Sequence, residues 1–154
     1  MLKILWRQII GRAIGIPNNK FHPLVWISGK PDIGRSVYIG GFSEVNAAHS
    51  KIIIGDFSDI ASFVSINCAD SHKMTLGLSN SVGRRPILIG SHVFIGSHAV
   101  IKGGSKIGSY SVIAAATVVD GSQDIPPYSL VYGNPMNVKP GYYLKKMNQV
   151  KDKP

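Results

Sequence analysis

The chain has 154 residues, enough for one domain with a hydrophobic core and too few for two. Its residues are 44% hydrophobic and only 16% charged, and 17 are glycine, so the composition excludes a disordered chain and favours a turn-rich fold over a helical bundle. The net charge of +9 predicts anionic partners: a phosphate-bearing cofactor, an acidic glycan, nucleic acid or a membrane. Cys68 is the only cysteine, which excludes an intrachain disulfide and a cysteine-based zinc site and favours a reducing cytoplasm.

Residues 1–32 are predicted to form an N-terminal helix and a lead-in to the main domain. Leu2, Leu5, Trp6 and Ile9 follow helical spacing, with basic residues between them. The segment is too short to span a bilayer and lacks a signal-peptide cleavage pattern. Two roles stay open: the helix packs on its own domain or a neighbouring subunit, or it makes peripheral contact with the inner face of a membrane.

From residue 33 the sequence repeats every six residues. An aliphatic residue opens each hexad, glycine often follows it, and a small or β-branched residue often lies four places on. A six-residue unit suits a short strand and a tight turn, and three units close one triangular coil. The pattern predicts an all-β fold, a parallel β-helix over residues 33–136. The predicted inward residues are Ile33, Ile39, Val45, Ile54, Ile60, Ile66, Ile89, Ile95, Ile101, Ile107, Ile113, Val119, Ile125 and Val131.

The six-residue phase breaks twice. Three extra residues lie between Val45 and Ile54, and a longer insertion separates Ile66 from Ile89. The second break predicts a loop extruded from the coil at about residues 68–86, and such loops on rigid scaffolds often carry binding and catalytic groups. Residues 137–154 are predicted to form a short basic C-terminal tail.

Four features together resemble one known family. They are the run of hexads, the loop with its Asp-Ser-His at 70–72, the segment VFIGSHAVIKGGSKIG at 93–108 and the segment DIPPYSLVYGNP at 124–135. They resemble the left-handed β-helix acyltransferases of the hexapeptide-repeat superfamily, above all the bacterial O-acetyltransferases of sugars and surface polysaccharides. The resemblance covers residues 33 to about 140. It implies a left-handed helix, a homotrimer with active sites between adjacent subunits, and acetyl-CoA as the acyl donor.

His72 is the candidate general base. Acetyl transfer from a thioester to a hydroxyl needs a base near the attacking oxygen and a donor for the developing oxyanion, and a neutral imidazole suits the first role. The resemblance implies this role for a histidine at the point where the loop leaves the coil; an exposed loop histidine without a role is the alternative. Asp70 either orients the imidazole or forms an Asx turn at the loop entry.

Residues 93–97 resemble the family's stretch in which the amide after the glycine meets the thioester carbonyl. The resemblance therefore implies that the backbone N–H of Ser97 stabilises the oxyanion and contacts the cofactor. Phe94 stands where a tryptophan is frequent, and it would form a wall of the acceptor pocket. In the alternative interpretation both are turn and outer-face residues of one hexad.

Four further side chains are candidates for contact with the acceptor. Glu44 and Asn46 lie one coil before the loop, where some sugar acetyltransferases place a polar residue against the acceptor sugar. Arg84 and Arg85 lie at the return of the loop, where they could meet a diphosphate or an acidic sugar. A solvated surface position is the alternative for each of them.

Contacts with acetyl-CoA are expected along the later coils. Ala114, Ala115 and Thr117 form a strip of thin side chains that would let the pantetheine arm run against the backbone; tight turn packing is the alternative. Beyond the YGNP motif, the resemblance implies basic residues near the adenine and 3′-phosphate, and Lys139 is the candidate there.

His92 and His98 do not predict a metal site. They hold the same place in successive hexads, so they lie roughly 120° apart around a triangular coil and cannot converge within one chain. The β-helix carbonic anhydrases carry two histidines five residues apart, and this spacing is missing here. We expect both to be exposed turn histidines, with no metal.

The sequence thus predicts a cytoplasmic, homotrimeric acetyltransferase of polysaccharide biosynthesis, without a nucleic-acid partner. Acetyl-CoA would donate the acetyl group, and the hydroxyl of a saccharide or saccharide precursor would accept it directly. Two alternatives stay open: N-acetylation of an amino sugar nucleotide, and a non-catalytic β-helix scaffold that binds a partner.

Overall fold

The computed structural model describes residues 24–151 together with residues 9, 13, 20 and 21. Most of the predicted N-terminal helix lies outside the described residues, so both of its roles stay predictions. Among the described residues, no helix is long and apolar enough to cross a lipid bilayer.

The described chain consists of short strands joined by tight turns, with two helices. The first helix lies in the extruded loop, α1 (His72–Thr75), and the second follows the last strand, α2 (Tyr142–Lys151). The strands are β1 (Trp26–Gly29), β2 (Asp32–Ile33), β3 (Tyr38–Ile39), β4 (Glu44–Ala47), β5 (Ile52–Ile54), β6 (Asp59–Ile60), β7 (Ser65–Asn67), β8 (Ala69–Asp70), β9 (Gly83–Arg84), β10 (Ile87–Ile89), β11 (Phe94–Ile95), β12 (Val100–Lys102), β13 (Lys106–Ile107), β14 (Val112–Ile113), β15 (Val118–Val119), β16 (Leu130–Tyr132) and β17 (Asn137–Lys139).

Three parallel sheets form the faces of a triangular prism. The first face stacks β1, β4, β7, β12 and β15, the second stacks β2, β5, β10 and β13, and the third stacks β3, β6, β11, β14 and β16. Val100 pairs with Val118, so one coil takes 18 residues as the hexads predict. The predicted parallel β-helix is confirmed. Because β1 already pairs with β4, the stack includes residues that the sequence analysis assigned to the lead-in.

The interior is a ladder of aliphatic side chains. Each coil contributes at least one inward residue per face, and those of consecutive coils are paired neighbours in the sheet, as Ile60 and Ile95 are. The predicted inward residues are at most 3% exposed, except Ile33 in the first coil, which is partly buried. Small hydroxyl residues close the corners; the Ser58 hydroxyl, for example, donates to the Gly90 carbonyl and accepts from the Val93 N–H.

We expect Ile95→Ala to destabilise the protein by about 2–5 kcal/mol, because the methyl groups are lost from a fully buried site that a rigid stack cannot collapse to fill. Chemical unfolding followed by circular dichroism measures this change. Leu76→Ala is the control, since Leu76 is 69% exposed on the loop and its loss should change the unfolding free energy by less than about 0.5 kcal/mol. Equal losses at the two sites would contradict the proposed packing.

Two corners of the prism carry stacked aromatic rings. Phe42, Phe63 and His98 stack on the corner between the third and first faces, at centroid distances of 5.0 and 4.9 Å. On the corner between the second and third faces, His92 is sandwiched between Phe57 at 5.0 Å and Tyr110 at 4.7 Å, and Tyr128 continues the stack. All of these residues have positive φ, which is unfavourable for residues other than glycine. The two histidines thus lie exposed in turns on different corners.

The predicted loop at 68–86 is confirmed. It leaves the third corner, between the first and second faces, and Ser65 on one side of it pairs with Val100, 35 residues later instead of 18. Its two ends run antiparallel as β8 and β9, with Ala69 opposite Arg84. Beyond the coils, β17 reverses direction against β16, and Met136 and Val138 pack on the core.

Candidate active site

A cavity of about 400 Å³ lies at the base of the extruded loop. Its walls are β8, α1, β9 and the turn after β12, so loop and scaffold both contribute to it. Asp70, His72, Arg84 and Arg85 all line the cavity. The structure therefore brings together four of the residues that the sequence analysis singled out.

Asp70 and His72 form a hydrogen-bonded pair. The Nδ1 of His72 lies 2.5 Å from the Oδ1 of Asp70, and the backbone N–H of His72 donates to the same oxygen at 3.2 Å. The hydrogen bond from the imidazole, followed by that from the backbone, holds the pKa of Asp70 below its ordinary value. An ionised carboxylate at Nδ1 favours the proton on that nitrogen and leaves Nε2 as a proton acceptor.

The local fold fixes this pair at the rim of the cavity. Asp70 ends β8, whose pairing with β9 is continued by the Arg85 N–H donating to the Cys68 carbonyl at 3.0 Å. His72 begins α1, where the Thr75 N–H donates to the Ser71 carbonyl. The side chains of His72 and Asp70 are 60% and 44% exposed, so a substrate can reach the imidazole.

The arginine side chains of the loop differ in how they are held. The Arg85 guanidinium lies against Gly104 and donates to the Asp120 carbonyl at 3.5 Å. A Cβ at Gly104 would lie 2.7 Å from that guanidinium, and its φ of +94° also favours glycine, so this glycine makes room for the arginine. Arg84 is exposed on β9, opposite Ala69.

Two lysines of the cavity were missed by sequence reasoning. Lys73 follows the candidate base in α1, and Lys102 ends β12 next to Asn67 of the coil below. The hexad register carried the signal for Lys102, because aligning Ile101 with Ile66 across the loop places it beside the loop entry. Lys73 has no periodic position, and only the folded loop shows that it reaches the cavity.

Glu44 and Asn46 lie on the outer side of the first face. The Asn46, Asn67 and Lys102 positions are hydrogen-bonding neighbours in successive strands, so this row leads to the cavity. The Asn46 side chain, however, accepts the Ala48 N–H at 3.1 Å in a local turn. Glu44 lies in the adjacent row and accepts the Ser65 hydroxyl at 3.4 Å.

The predicted oxyanion donor lies on another corner of the prism. The Ser97 backbone N–H has no hydrogen-bond partner within the described chain, while its carbonyl accepts the Ala116 N–H at 2.9 Å. Gly96 beside it approaches the next coil so closely that a Cβ there would lie 2.5 Å from the Ala115 nitrogen. This thin strip belongs to the corner between the third and first faces, whereas His72 stands where the first and second faces meet. One chain alone does not bring the two groups together.

The other predicted cofactor contacts divide into exposed and buried residues. Ala115 is exposed, Ala114 is half-buried, and Phe94 is 42% exposed on the third face. Lys139 on β17 holds its ammonium 5.1 Å from the centre of the Tyr132 ring. Thr117 is fully buried, and its hydroxyl accepts the Gly133 N–H, which corrects the predicted contact of this side chain with a cofactor.

The described residues contain no group of three or more histidine, cysteine, aspartate or glutamate side chains that could hold a metal ion. The chemistry of the cavity is instead that of an imidazole–carboxylate pair surrounded by cations.

Comparisons with known proteins agree with this geometry. Residues 86–121 match the family model described as bacterial transferase hexapeptide (six repeats). A search of curated proteins gives no match. Among solved structures, a galactoside acetyltransferase in complex with coenzyme A is similar at 33% identity, with a TM-score of 0.67, over 77% of this chain and 59% of that chain.

Two further solved structures are similar. The polySia-specific acetyltransferase NeuO has 27% identity and a TM-score of 0.61, over 75% of this chain and 60% of that chain. AntD, an N-acyltransferase from Bacillus cereus solved with dTDP and 3-hydroxybutyryl-CoA, has 22% identity and a TM-score of 0.69, over 84% of this chain and 74% of that chain. The chain thus spans about three fifths of NeuO and of the galactoside acetyltransferase.

The family match and the stacked coils define a hexapeptide-repeat protein with a left-handed parallel β-helix, as predicted. The two enzymes to which the chain is similar at 27% and 33% identity are acetyltransferases.

Proposed function

We propose that the protein transfers the acetyl group of acetyl-CoA to a hydroxyl of a saccharide or saccharide precursor. The observation that carries the proposal is the hydrogen-bonded Asp70–His72 pair at an open cavity, on a scaffold shared with enzymes solved with coenzyme A. A β-helix that served only as a scaffold would have no need for an imidazole oriented by a carboxylate. We propose a cytoplasmic role in polysaccharide biosynthesis.

In the proposed reaction, Nε2 of His72 accepts the proton of the acceptor hydroxyl as its oxygen attacks the thioester carbonyl carbon. The ionised Asp70 stabilises the imidazolium that forms. The tetrahedral intermediate then collapses, the C–S bond breaks, and the imidazolium returns the proton to the sulfur of coenzyme A. No acyl-enzyme is needed: Cys68 is 1% exposed and its thiol donates to the Asn46 carbonyl, so it is no accessible nucleophile.

The proposed site needs a second copy of the chain. The free amide of Ser97 would donate to the oxyanion, Ala114 and Ala115 would border the pantetheine arm, and Lys139 would attract a phosphate of the cofactor. These groups lie on a different corner from His72, so a neighbouring subunit must supply them. A homotrimer supplies three such sites, and Phe94 would wall the acceptor side.

N-acetylation is the second candidate. AntD is an N-acyltransferase, and it has been solved with dTDP-4-amino-4,6-dideoxyglucose, so a similar fold accepts an amino sugar nucleotide. Products from paired acceptors that differ only in a hydroxyl or an amine distinguish the two reactions. An ester product is cleaved by mild base, whereas an amide product resists it.

We expect a three-subunit mass by light scattering, and a rise in melting temperature when acetyl-CoA is added, because a ligand that binds only the folded state stabilises it. The rise should be smaller for Lys139→Gln, and Lys20→Gln is the control with the same change in charge. A monomer, or no thermal shift at about millimolar acetyl-CoA, would favour the non-catalytic scaffold.

A further inference from the structure

The cavity beside His72 has an unusual excess of positive charge. Four cationic side chains line it, and Asp70 is the only carboxylate among its lining residues. The four cations are Lys73, Arg84, Arg85 and Lys102. They come from three separate places in the chain, Lys73 from α1, Arg84 and Arg85 from the end of the loop at β9, and Lys102 from β12, so folding and not one run of basic sequence brings them together.

None of these cations is neutralised by an ion pair with another described residue. Elsewhere in the described chain, Arg35 pairs with Asp56 at 2.9 Å and Lys106 pairs with Asp124 at 3.1 Å. Hydrogen bonds from His72 lower the pKa of Asp70 and hydrogen bonds from Ser122 lower the pKa of Asp120; the charge of Lys102 adds to each, but it forms an ion pair with neither carboxylate. Like charges around one small cavity repel one another, and a bound anion would remove that repulsion.

Arg84 and Arg85 suit the recognition of an anion. A guanidinium presents a planar set of donors that matches the oxygen atoms of a phosphate or a carboxylate. Arg85 is held against Gly104, so part of the ordering cost is met before a ligand arrives. A cavity of about 400 Å³ is large enough for a sugar with one anionic substituent.

We infer that the acceptor carries an anionic group, a phosphate or a carboxylate, which Arg84, Arg85 and Lys102 bind while an acceptor hydroxyl faces His72. This inference rests on the proposed function and adds the substrate class. The alternative is a cavity that recognises a neutral sugar through hydrogen bonds alone. The phosphates of acetyl-CoA are the rival source of anionic oxygen, and the experiment has to distinguish them.

The test compares paired acceptors that differ in one anionic group: glucose 6-phosphate with glucose, and glucuronic acid with glucose. Release of coenzyme A is measured at saturating acetyl-CoA for the wild type, Arg84→Gln, Arg85→Gln and Lys102→Gln. We expect a higher kcat/KM on the anionic member of at least one pair. We expect each variant to lose that preference by about tenfold, the effect of losing a charge-assisted hydrogen bond. The preferred pair tells phosphate from carboxylate.

Arg35→Gln is the matched control, because it removes one arginine charge on the corner between the second and third faces. It should leave the preference unchanged. Equal kcat/KM on both members of every pair would overturn the inference. In a second series the acetyl-CoA concentration is varied at a fixed, saturating acceptor concentration. Variants that raise KM for acetyl-CoA and leave KM for the acceptor unchanged would also overturn the inference, since the cations would then bind the donor.

A binding measurement separates this inference from the proposed reaction. Glucose 6-phosphate and glucuronic acid are added to the full chain without acetyl-CoA, and the thermal shift is compared between the wild type and Arg84→Gln. A shift that depends on Arg84, with no acetyl transfer to any acceptor, would support the anion site and contradict the proposed function. Acetyl transfer to neutral sugars alone would support the proposed function and contradict the anion site.

Discussion

His72→Ala is expected to lower turnover on the order of 10²-fold or more, because it removes the group that accepts the proton in the transition state. The affinity for acetyl-CoA should change little, since the proposed cofactor groups belong to the neighbouring subunit and the substitution leaves them in place. Steady-state release of coenzyme A measures kcat, and the thermal shift with acetyl-CoA measures binding.

His92→Ala is the control for this variant. It removes a ring from the stack between Phe57 and Tyr110, so the melting temperature should fall while turnover of the folded enzyme is kept. Asp70→Asn should have an intermediate effect, because the amide keeps the shape of the carboxylate and loses the charge that stabilises the imidazolium. If His72→Ala retains more than about a third of the wild-type turnover, the imidazole is not the base.

Replacing residues 68–86 by two glycines should abolish acetyl transfer and leave the β-helix folded. The next coil already makes this connection with two residues, Gly103 and Gly104, between β12 and the buried Ser105. Asn67 is in register with Lys102, and Ile87 is in register with Ser105. Two glycines between Asn67 and Ile87 would therefore reproduce the connection that the next coil makes. The β signal by circular dichroism should persist, and coenzyme A release should fall to background.

The acetyl-CoA thermal shift is the internal control for this deletion. If it persists while activity is lost, the loop contributes to the acceptor side and the chemistry. Full activity without the loop would place the base elsewhere, with Glu44 the next carboxylate to test. If the shortened chain does not fold, a second variant replaces only residues 73–82 by Gly-Ser repeats. This variant keeps β8 and β9 and so disturbs the coil less.

The fold was predictable because a β-helix repeats one short local structure, a strand and a turn, in every hexad. Each hexad places its aliphatic residue in the core, so Ile54, Ile60 and Ile66 predict three faces without any long-range information. The start of the stack was not visible in the same way. Ile27 of β1 belongs to the first coil and lies six residues before Ile33, in phase with the hexads, but serine and not glycine follows it, so the sequence analysis began the run at Ile33.

The candidate site was predictable only where contacts are local. Asp70 and His72 are two residues apart at the loop entry, and they do form a hydrogen bond. Lys73 was missed because the path of an extruded loop depends on contacts that no repeat encodes, whereas Lys102 follows from the hexad register once Ile101 is aligned with Ile66. Thr117 was misassigned because thin side chains serve two purposes in this fold, lining a groove or closing a corner, and composition alone does not tell them apart.

The reversed strand β17 has a consequence for assembly. Parallel coils stacked one on another have no intrinsic limit on their number, and the last coil exposes backbone groups on which another molecule could continue the sheet into a filament. Here the third face ends with β17 running against the direction of every coil, and Met136 and Val138 cover the core beneath it. The end of that face therefore does not reproduce the edge that a further coil would need. A repeat that could in principle continue without limit is therefore ended on this face by the chain's own reversed strand.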